Sequence, residues 1–481
     1  MATLIGVDVG TSGTRALAVT TEGELVAEAN RPHELLTPRP GWSEQDPAQW
    51  WDATKAVLAE VASQADDVIG LGLTGQMHGS VFLDAAGEVI RPALLWNDQR
   101  TAAECDEITE RVGAERLLEV AGNPALTGFQ APKILWLARH EPDAYGRVAA
   151  VLLPKDYVRL RLTGELATDA VDASGTLLFD VARREWSAQV LAELELDPDW
   201  LPRVYESPAP AGRLGRVPVA AGAGDEAAAA VGAGVVRQGD PVSIVLGTSG
   251  VVVAALDGYA ADAQGRAHSY CHAVPGGWNV LGVTLSAGGS LRWLRDVLDP
   301  NVSFRRLIQE AEAWEPGAGG LLFAPQLAGE RMPHADPKAR GGFAGLGTHH
   351  DRGALTRAVL EGVAFSIRES LHLLDGLAGT PAKARVSGGG ARSETWLEIL
   401  AAVLDLPLEI CHVQEGAAYG AALLGGVAAG LWMDVPEAVD ACVRVVRTVE
   451  PRADWVERYA ALRPCYDALY PGLHGIQHAA D

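Results

Sequence analysis

Apolar positions along the chain follow two periods, and the shorter one appears first. Leu4 to Val9 is a short, mostly apolar run that leads into Gly10-Thr11-Ser12-Gly13, and a second apolar run, Ala16 to Val19, follows. This pattern predicts a strand, a tight glycine turn and a returning strand. The same arrangement recurs downstream: Ser243 to Leu246 leads into Gly247-Thr248-Ser249-Gly250, followed by Val251 to Leu256. The tetrad moves from 10–13 to 247–250, an offset of 237 in a chain of 481 residues. Duplication explains that spacing. It predicts two similar domains, residues 1–236 and 237–481, joined near Arg237 to Pro241. The final segment, 445–481, either packs on the second domain or crosses back to the first.

The longer period marks helices. Gln49 to Val61 carries Trp50, Trp51, Val57, Leu58 and Val61 on one face, and Asp46-Pro47 supplies a start signal. Leu355 to Leu374 is a long apolar helix candidate. Ser393 to Leu404 is another, with Thr395 and Glu398 at capping-box spacing. Strands and helices alternate in both halves, so the fold class is α/β. No long low-complexity linker separates the halves, which predicts two domains packed around a cleft.

Composition narrows the function. Hydrophobic residues make up 48% and charged residues 21%, the balance of a globular chain with a sizeable core. The net charge is -23, so a nucleic-acid backbone is not an expected partner. A bound nucleotide remains compatible, because glycine loops and a cation neutralise phosphates locally. The five cysteines are scattered without a CxxC pair, as in a reducing cytosol, which predicts a cytoplasmic protein without a zinc ribbon or disulfide framework. The apolar start contains Asp8 and lacks a basic region, so it reads as a strand and not as a signal peptide. No uninterrupted apolar stretch is long enough to predict a membrane span.

Several loops carry candidate chemistry. Asp8 precedes the first glycine turn, and its counterpart before the second turn is Val245. A residue needed only for the turn would occur in both copies. The glycines therefore serve geometry, and the acid is a candidate for holding a hydrated cation beside phosphate oxygens. Gly388-Gly389-Gly390 follows a strand end and precedes a helix, a place where backbone can approach a ligand closely. Gly224-Asp225-Glu226 puts an acid at a helix start, where it can act as an N-cap or as a general base toward an attacking hydroxyl. Gly75-Gln76-Met77-His78-Gly79 can present hydrogen-bonding groups to a polyol. None of the five lysines follows a glycine, so a Walker A loop is absent.

Taken together, these motifs resemble the FGGY carbohydrate kinases, closest to the branch that phosphorylates xylulose. The residues that carry the resemblance are Asp8-Val9-Gly10-Thr11-Ser12-Gly13, Thr74-Gly75-Gln76-Met77-His78-Gly79, Leu95-Trp96-Asn97-Asp98, Gly224-Asp225, Leu246-Gly247-Thr248-Ser249-Gly250 and Gly388-Gly389-Gly390-Ala391-Arg392-Ser393. Trp42-Ser43-Glu44-Gln45-Asp46-Pro47, Ala131-Pro132-Lys133 and Leu153-Pro154-Lys155-Asp156-Tyr157 add to it. The resemblance implies two ribonuclease-H-like, actin-like domains around a central cleft. It implies ATP and Mg2+ as cofactors and D-xylulose, or a related ketose or polyol, as acceptor at O5. By the same resemblance Asp225 is the general base, and Asp8 is a catalytic acid that meets the metal through water. Gln76, Met77, His78, Trp96, Asp98, Asp225 and Glu226 face the sugar. Thr11, Ser12, Gly13, Gly247, Thr248, Ser249, Gly389, Gly390 and Ala391 bind ATP. A homodimer is allowed.

Two positions depart from the pattern. Glu226 stands where an amide is usual, and Gln130 where a hydroxyl is common. Glu226 leaves open a kinase for ribulose, a deoxyxylulose or an alditol. A nucleotide-gated actin-like protein and a sugar-sensing repressor are the readings from other classes. The first has no use for sugar-facing groups, and the second needs a DNA-reading module that the acidic chain does not offer.

Overall fold

The computed structural model describes residues 2–479 and divides them into two compact units. The first comprises residues up to 238 together with 255–279 and 415–443. The second comprises 239–254, 280–414 and the chain from 444 onward. The chain first crosses between the units at 238/239, and both units are discontinuous in sequence. Two segments, 255–279 and 415–443, return to the first unit, and the chain from 444 onward groups with the second.

In the first unit, strands β1 (Ala2–Val9), β2 (Gly13–Thr20) and β3 (Leu25–Pro32) form an antiparallel meander. β4 (Asp67–Gly75) joins β1 in parallel. β5 (Pro210–Leu214) and β6 (Val217–Ala220) complete the order β5-β6-β4-β1-β2-β3, and β7 (Ala223–Gly224) also pairs with β4. The parallel pair β1 and β4 is buried on both faces and reads as a nearly continuous apolar run. The helix Gly416–Ala428 packs directly on these two strands. Its approach is so close that a Cβ on Gly6 would lie 1.9 Å from the Ala418 carbonyl oxygen, and one on Gly72 1.7 Å from that of Ala421. Only glycine permits that packing. On another face, the helix Pro47–Ala62 buries Trp50, Val57 and Val61 in the core, capped by the Asp46 carboxylate on the Ala48 N–H.

The second unit repeats the plan. β8 (Val242–Leu246) and β9 (Gly250–Leu256) form an antiparallel hairpin. With β10 (Trp278–Thr284), β11 (Ala384–Ser387), β12 (Leu408–Cys411) and β13 (Val445–Val449) the order is β10-β9-β8-β11-β12-β13. β8, β11 and β12 run parallel. Each glycine tetrad therefore forms the hairpin turn between the first two strands of its unit. The long helix Arg352–Ala378 contains the expected 355–374 segment. The helix after the glycine triplet spans Glu394–Leu404, and its cap is Ser393, whose hydroxyl accepts from the Trp396 N–H. Thr395 is not the cap, because its hydroxyl is committed to Glu312. Among the described residues, no helix is long and apolar enough to cross a membrane.

Candidate active site

The parallel strands of the first unit bring their C-terminal ends to one edge of the sheet. Asp8 on β1 stands in register with Thr74 on β4, and Thr74 with Ala223 on β7. Asp8, the loop Gln76-Met77-His78 and Asp225 all leave the sheet at that edge, the usual ligand side of a parallel sheet. Each strand ends in a glycine or runs directly into one: Gly75 and Gly224 end theirs, and Gly10 follows Val9.

Asp225 opens the helix Asp225–Gly232, and Gly224 caps it without a side-chain bond. The N-cap reading of Asp225 is thereby excluded. Its carboxylate accepts only from the neighbouring Glu226 N–H, at 3.0 Å, among the hydrogen bonds of the described residues. A Cβ on Gly224 would meet Met77 Cγ at 2.6 Å, Met77 Sδ at 2.8 Å and Asp172 Oδ1 at 3.1 Å. The base candidate thus follows directly on the residue that touches the sugar-loop candidate Met77.

This corner is acidic. Burial, then the charges of Glu226, Asp8 and Asp172, push the Asp225 carboxyl well above the usual carboxylate range. Burial raises Asp8 to about 6, against a smaller opposing pull from Arg15. Burial and the Asp8 charge raise Glu226 to about 7. All three residues are only half-buried by surface, so they remain open to a ligand. Asp8 Oδ1 and Glu226 Oε2 are buried acceptors without a hydrogen-bond donor. Such a set favours a cation or a proton. Among the described residues, no three carboxylate, imidazole or thiol groups are arranged to ligate a metal together. A hydrated cation carried mainly by phosphate oxygens fits this donor set better than a bare ion in a protein cage.

His78 occupies an unusual conformation, with φ +69°, which a non-glycine residue adopts only under constraint. Its Nδ1 lies 2.8 Å from the Gly175 carbonyl oxygen, and the Phe129 ring meets it edge-on at 4.8 Å. Gln76 and Thr11 belong to a buried chain of hydrogen bonds. Trp96 Nε1 donates to Thr11 Oγ1, and Thr11 Oγ1 donates to Gln76 Oε1, each at 3.0 Å. The Thr11 hydroxyl is therefore used internally, and only its backbone is left for a phosphate. Ser12 is exposed, and Gly13 approaches the Arg31 carbonyl too closely for a side chain.

Asp98 requires a correction. It is fully buried, and its two oxygens accept from the Ser43 N–H at 2.6 Å and from the Arg100 guanidinium at 2.7 to 3.0 Å. It has no free face for a sugar and braces the loop that carries Trp96.

Lys155 stands out in sequence only as part of the Leu153-Pro154-Lys155-Asp156-Tyr157 motif. Its ammonium is fully buried and lies 2.6 Å from Asp156, 2.7 Å from Asp169 and 3.0 Å from Asp172. Burial opposes its charge, but the three carboxylates outweigh that and raise its pKa. Arg159 adds a second cation on Asp156. The network fixes the short helix Ala170–Ser174 beside Gly224 and Gly175. A lysine next to an aspartate in sequence was the only local sign of it.

In the second unit, a recess of about 800 Å³ contains Gly247, Thr248, Gly389 and Gly390 in its lining, with Leu291 and Phe304 among the apolar walls. That volume is in the usual range for a nucleotide-sized ligand. Val245 pairs with Ser387, so the two glycine segments leave adjacent parallel strands. The Gly388 N-terminal to this segment has φ +84°. Ser249 and Ala391 lie outside the recess lining.

The FGGY family of carbohydrate kinases matches through its N-terminal domain at residues 3–232 and its C-terminal domain at 242–429. Xylulose kinase of Bacillus subtilis (strain 168) is 38% identical over 97% of this chain and 96% of its own. Xylulose kinase of Escherichia coli (strain K12) is 41% identical over 88% of this chain and 90% of its own. The crystal structure of xylulose kinase from Rhodospirillum rubrum superposes with a TM-score of 0.89 at 33% identity, covering 99% of this chain and 100% of that one.

Proposed function

The chain belongs to the FGGY family of carbohydrate kinases, and from that premise we propose that it transfers the γ-phosphoryl group of ATP to O5 of D-xylulose, giving D-xylulose 5-phosphate and ADP. Family membership makes a sugar the acceptor and ATP the donor. The acceptor's identity rests on the xylulose kinases to which the chain is similar over nearly its whole length. The observation that supports the mechanism most is the close approach of Met77 to Gly224, the residue that precedes Asp225.

In this mechanism Asp225 accepts the proton of the sugar hydroxyl as its oxygen attacks phosphorus. Its raised pKa suits that task, since a base with too little proton affinity gives little driving force. The Nδ1 contact to the Gly175 carbonyl fixes the His78 ring, which would orient the sugar. Met77 supplies an apolar wall. By family membership, backbone N–H groups of the two glycine turns would donate to phosphate oxygens, and Gly389 and Gly390 would meet the nucleoside. Asp8, with its unpartnered Oδ1, and the neighbouring Glu226 would hold the hydration shell of Mg2+. Bound Mg2+ would offset negative charge on the phosphates. ATP as donor and five cysteines that form no disulfide support the cytoplasm as the working compartment.

The test is ADP release with ATP and Mg2+, first without sugar and then with D-xylulose, D-ribulose, L-ribulose, xylitol and glycerol. Stimulation by D-xylulose above all others is the expected result. Preference for another polyol would move the assignment within the family and make Glu226 the residue to change. No stimulation by any of them would overturn the kinase reading.

A further inference from the structure

Gln45 does not belong to any of the site residues expected from the sequence, yet it is the hub of the hydrogen-bond chain that joins them. It sits on the two-residue strand Glu44–Gln45, which pairs with Ala93–Leu94, and Asp46 and Pro47 then start a helix. Its backbone is therefore held on both sides. Its side chain is buried, at 1% exposure. The amide nitrogen donates to the Thr11 carbonyl oxygen at 2.6 Å. The amide oxygen accepts twice, from Gln76 Nε2 and from Trp50 Nε1, each at 3.0 Å. Gln76 in turn accepts from the Thr11 hydroxyl through Oε1. The Gln76 backbone is anchored as well, because its N–H donates to the Val9 carbonyl at 3.0 Å.

The chemistry of this position is restrictive. It needs one donor toward a carbonyl and one acceptor toward two N–H groups. Among side chains of that length, only a primary amide offers both. A carboxylate would turn an acceptor toward the Thr11 carbonyl, and an aliphatic group would leave three buried polar partners unpaired. Thr11 belongs to the turn expected to face the phosphates, and Gln76 begins the loop that carries Met77 and His78. The two segments lie on neighbouring strands, and Gln45 bonds to both.

We infer that Gln45 is a positioning residue that locks the phosphate-facing turn 10–13 and the sugar-facing loop 76–78 into one fixed relation. The inference rests on the kinase reading proposed above. It acts through Thr11 and Gln76 and does not require Gln45 to touch either substrate. Misplacement of either segment by a fraction of an ångström is costly in a transfer that depends on in-line geometry. Loss of the lock should therefore appear in turnover more than in the binding of either substrate alone.

The experiment compares wild type, Gln45→Glu and Trp50→Phe for kcat, KM of ketose, KM of ATP and thermal midpoint. Gln45→Glu keeps shape and both acceptor contacts but sets an acceptor against the Thr11 carbonyl, so that bond is lost. The expected result is a fall in kcat of about 10- to 100-fold with a smaller change in either KM. Trp50→Phe removes one donor to Gln45 and preserves apolar volume. It should lower kcat by about 3- to 10-fold in enzyme that remains folded, and it supplies the test if Gln45→Glu does not fold. A purely structural role would lower the thermal midpoint and leave kcat per folded enzyme unchanged. Folded Gln45→Glu within about twofold of wild type, or folded Trp50→Phe with unchanged kcat where Gln45→Glu fails to fold, would overturn the inference alone. A wild-type enzyme with no sugar-stimulated turnover would remove the kinase reading and the inference with it.

Discussion

His78 Nδ1 lies 2.8 Å from the carbonyl oxygen of Gly175, and a Cβ on Gly175 would come within 2.5 Å of that same nitrogen. The bond and the missing side chain are two sides of one constraint. His78 is held at positive φ, and Gly175 leaves room for its ring. Gly175→Ala should push the imidazole out of place. The expected outcome is a rise in KM for the ketose of about 10-fold or more with KM for ATP unchanged, read from initial rates. A parallel loss of ATP affinity would mean that His78 is not confined to the sugar side.

Asp225 has the most direct test. If it accepts the hydroxyl proton, Asp225→Asn should lower kcat by about 10²- to 10⁴-fold, the usual range for a positioned general base. Nucleotide binding should persist, because the candidate nucleotide recess lies wholly within residues 246–396. ADP release measures the first quantity and equilibrium nucleotide titration the second. Residual turnover close to wild type would remove Asp225 from the base role.

Much of this site was legible because its parts are local. Asp8 before Gly10, Asp225 after Gly224 and Gln76-Met77-His78 after Gly75 each mark a strand end in a few consecutive residues. The repeat of Gly-Thr-Ser-Gly placed two hairpins correctly, because a turn is decided by its own residues. What stayed hidden depends on distant partners. Gln45 meets Thr11 across 34 positions, and the segment 42–47 that contains it gives no sign of that partner. Asp98 looks like a free carboxylate in sequence and is saturated only once Ser43 and Arg100 are folded around it. The return of 415–443 to the first unit depends on a glycine-rich helix fitting against Gly6 and Gly72, a match between distant surfaces. Thr395 has capping-box spacing to Glu398 in sequence, but its hydroxyl bonds the distant Glu312 and Ser393 supplies the cap.

Glu226 bears on both pH dependence and sugar choice. Its charge is one of the causes, after burial, that raise the Asp225 carboxyl. Glu226→Gln removes that charge, so Asp225 should lose its proton at lower pH. The acid limb of kcat/KM against pH should then move down by about half a unit or more. The limb reports coupled groups, so the shift in the limb is the quantity to compare, not a single assigned value. An unmoved limb would show that the two carboxylates do not interact in the working enzyme.

The same carboxylates predict how stability varies with pH. Asp8, Glu226 and Asp172 are raised to about 6, about 7 and about 7, mainly by burial, and Asp225 is also raised. Each holds its proton more tightly in the folded chain than in the unfolded one. The folded state therefore binds more protons between the unfolded and folded values, and stability falls as pH rises through that window. Their contribution is fully present below the ordinary carboxylate range and is lost through about pH 6 to 7. The thermal midpoint without nucleotide or Mg2+ should decline between about pH 5 and about pH 8, and Glu226→Gln should flatten the decline. Mg2+ with a nucleotide should reduce the slope, since a cation favours the charged forms. A midpoint that rises across this range in the absence of ligand would contradict the assignment.

Gly388 offers a test of the nucleotide recess that leaves the sugar side untouched. It has φ +84°, and a Cβ there would lie 2.8 Å from the Leu246 carbonyl oxygen. Alanine is thus opposed twice, by conformation and by contact with backbone that cannot move aside cheaply. The strain falls where β11 hands over to Gly389 and Gly390 and where Leu246 leads into Gly247, all of which line the recess. Gly388→Ala should raise KM for ATP by about 10-fold while KM for the ketose stays within about twofold of wild type. The measurement is a pair of saturation curves, one substrate varied at a time. A rise confined to the ketose curve would show that the recess in the second unit is not where ATP binds.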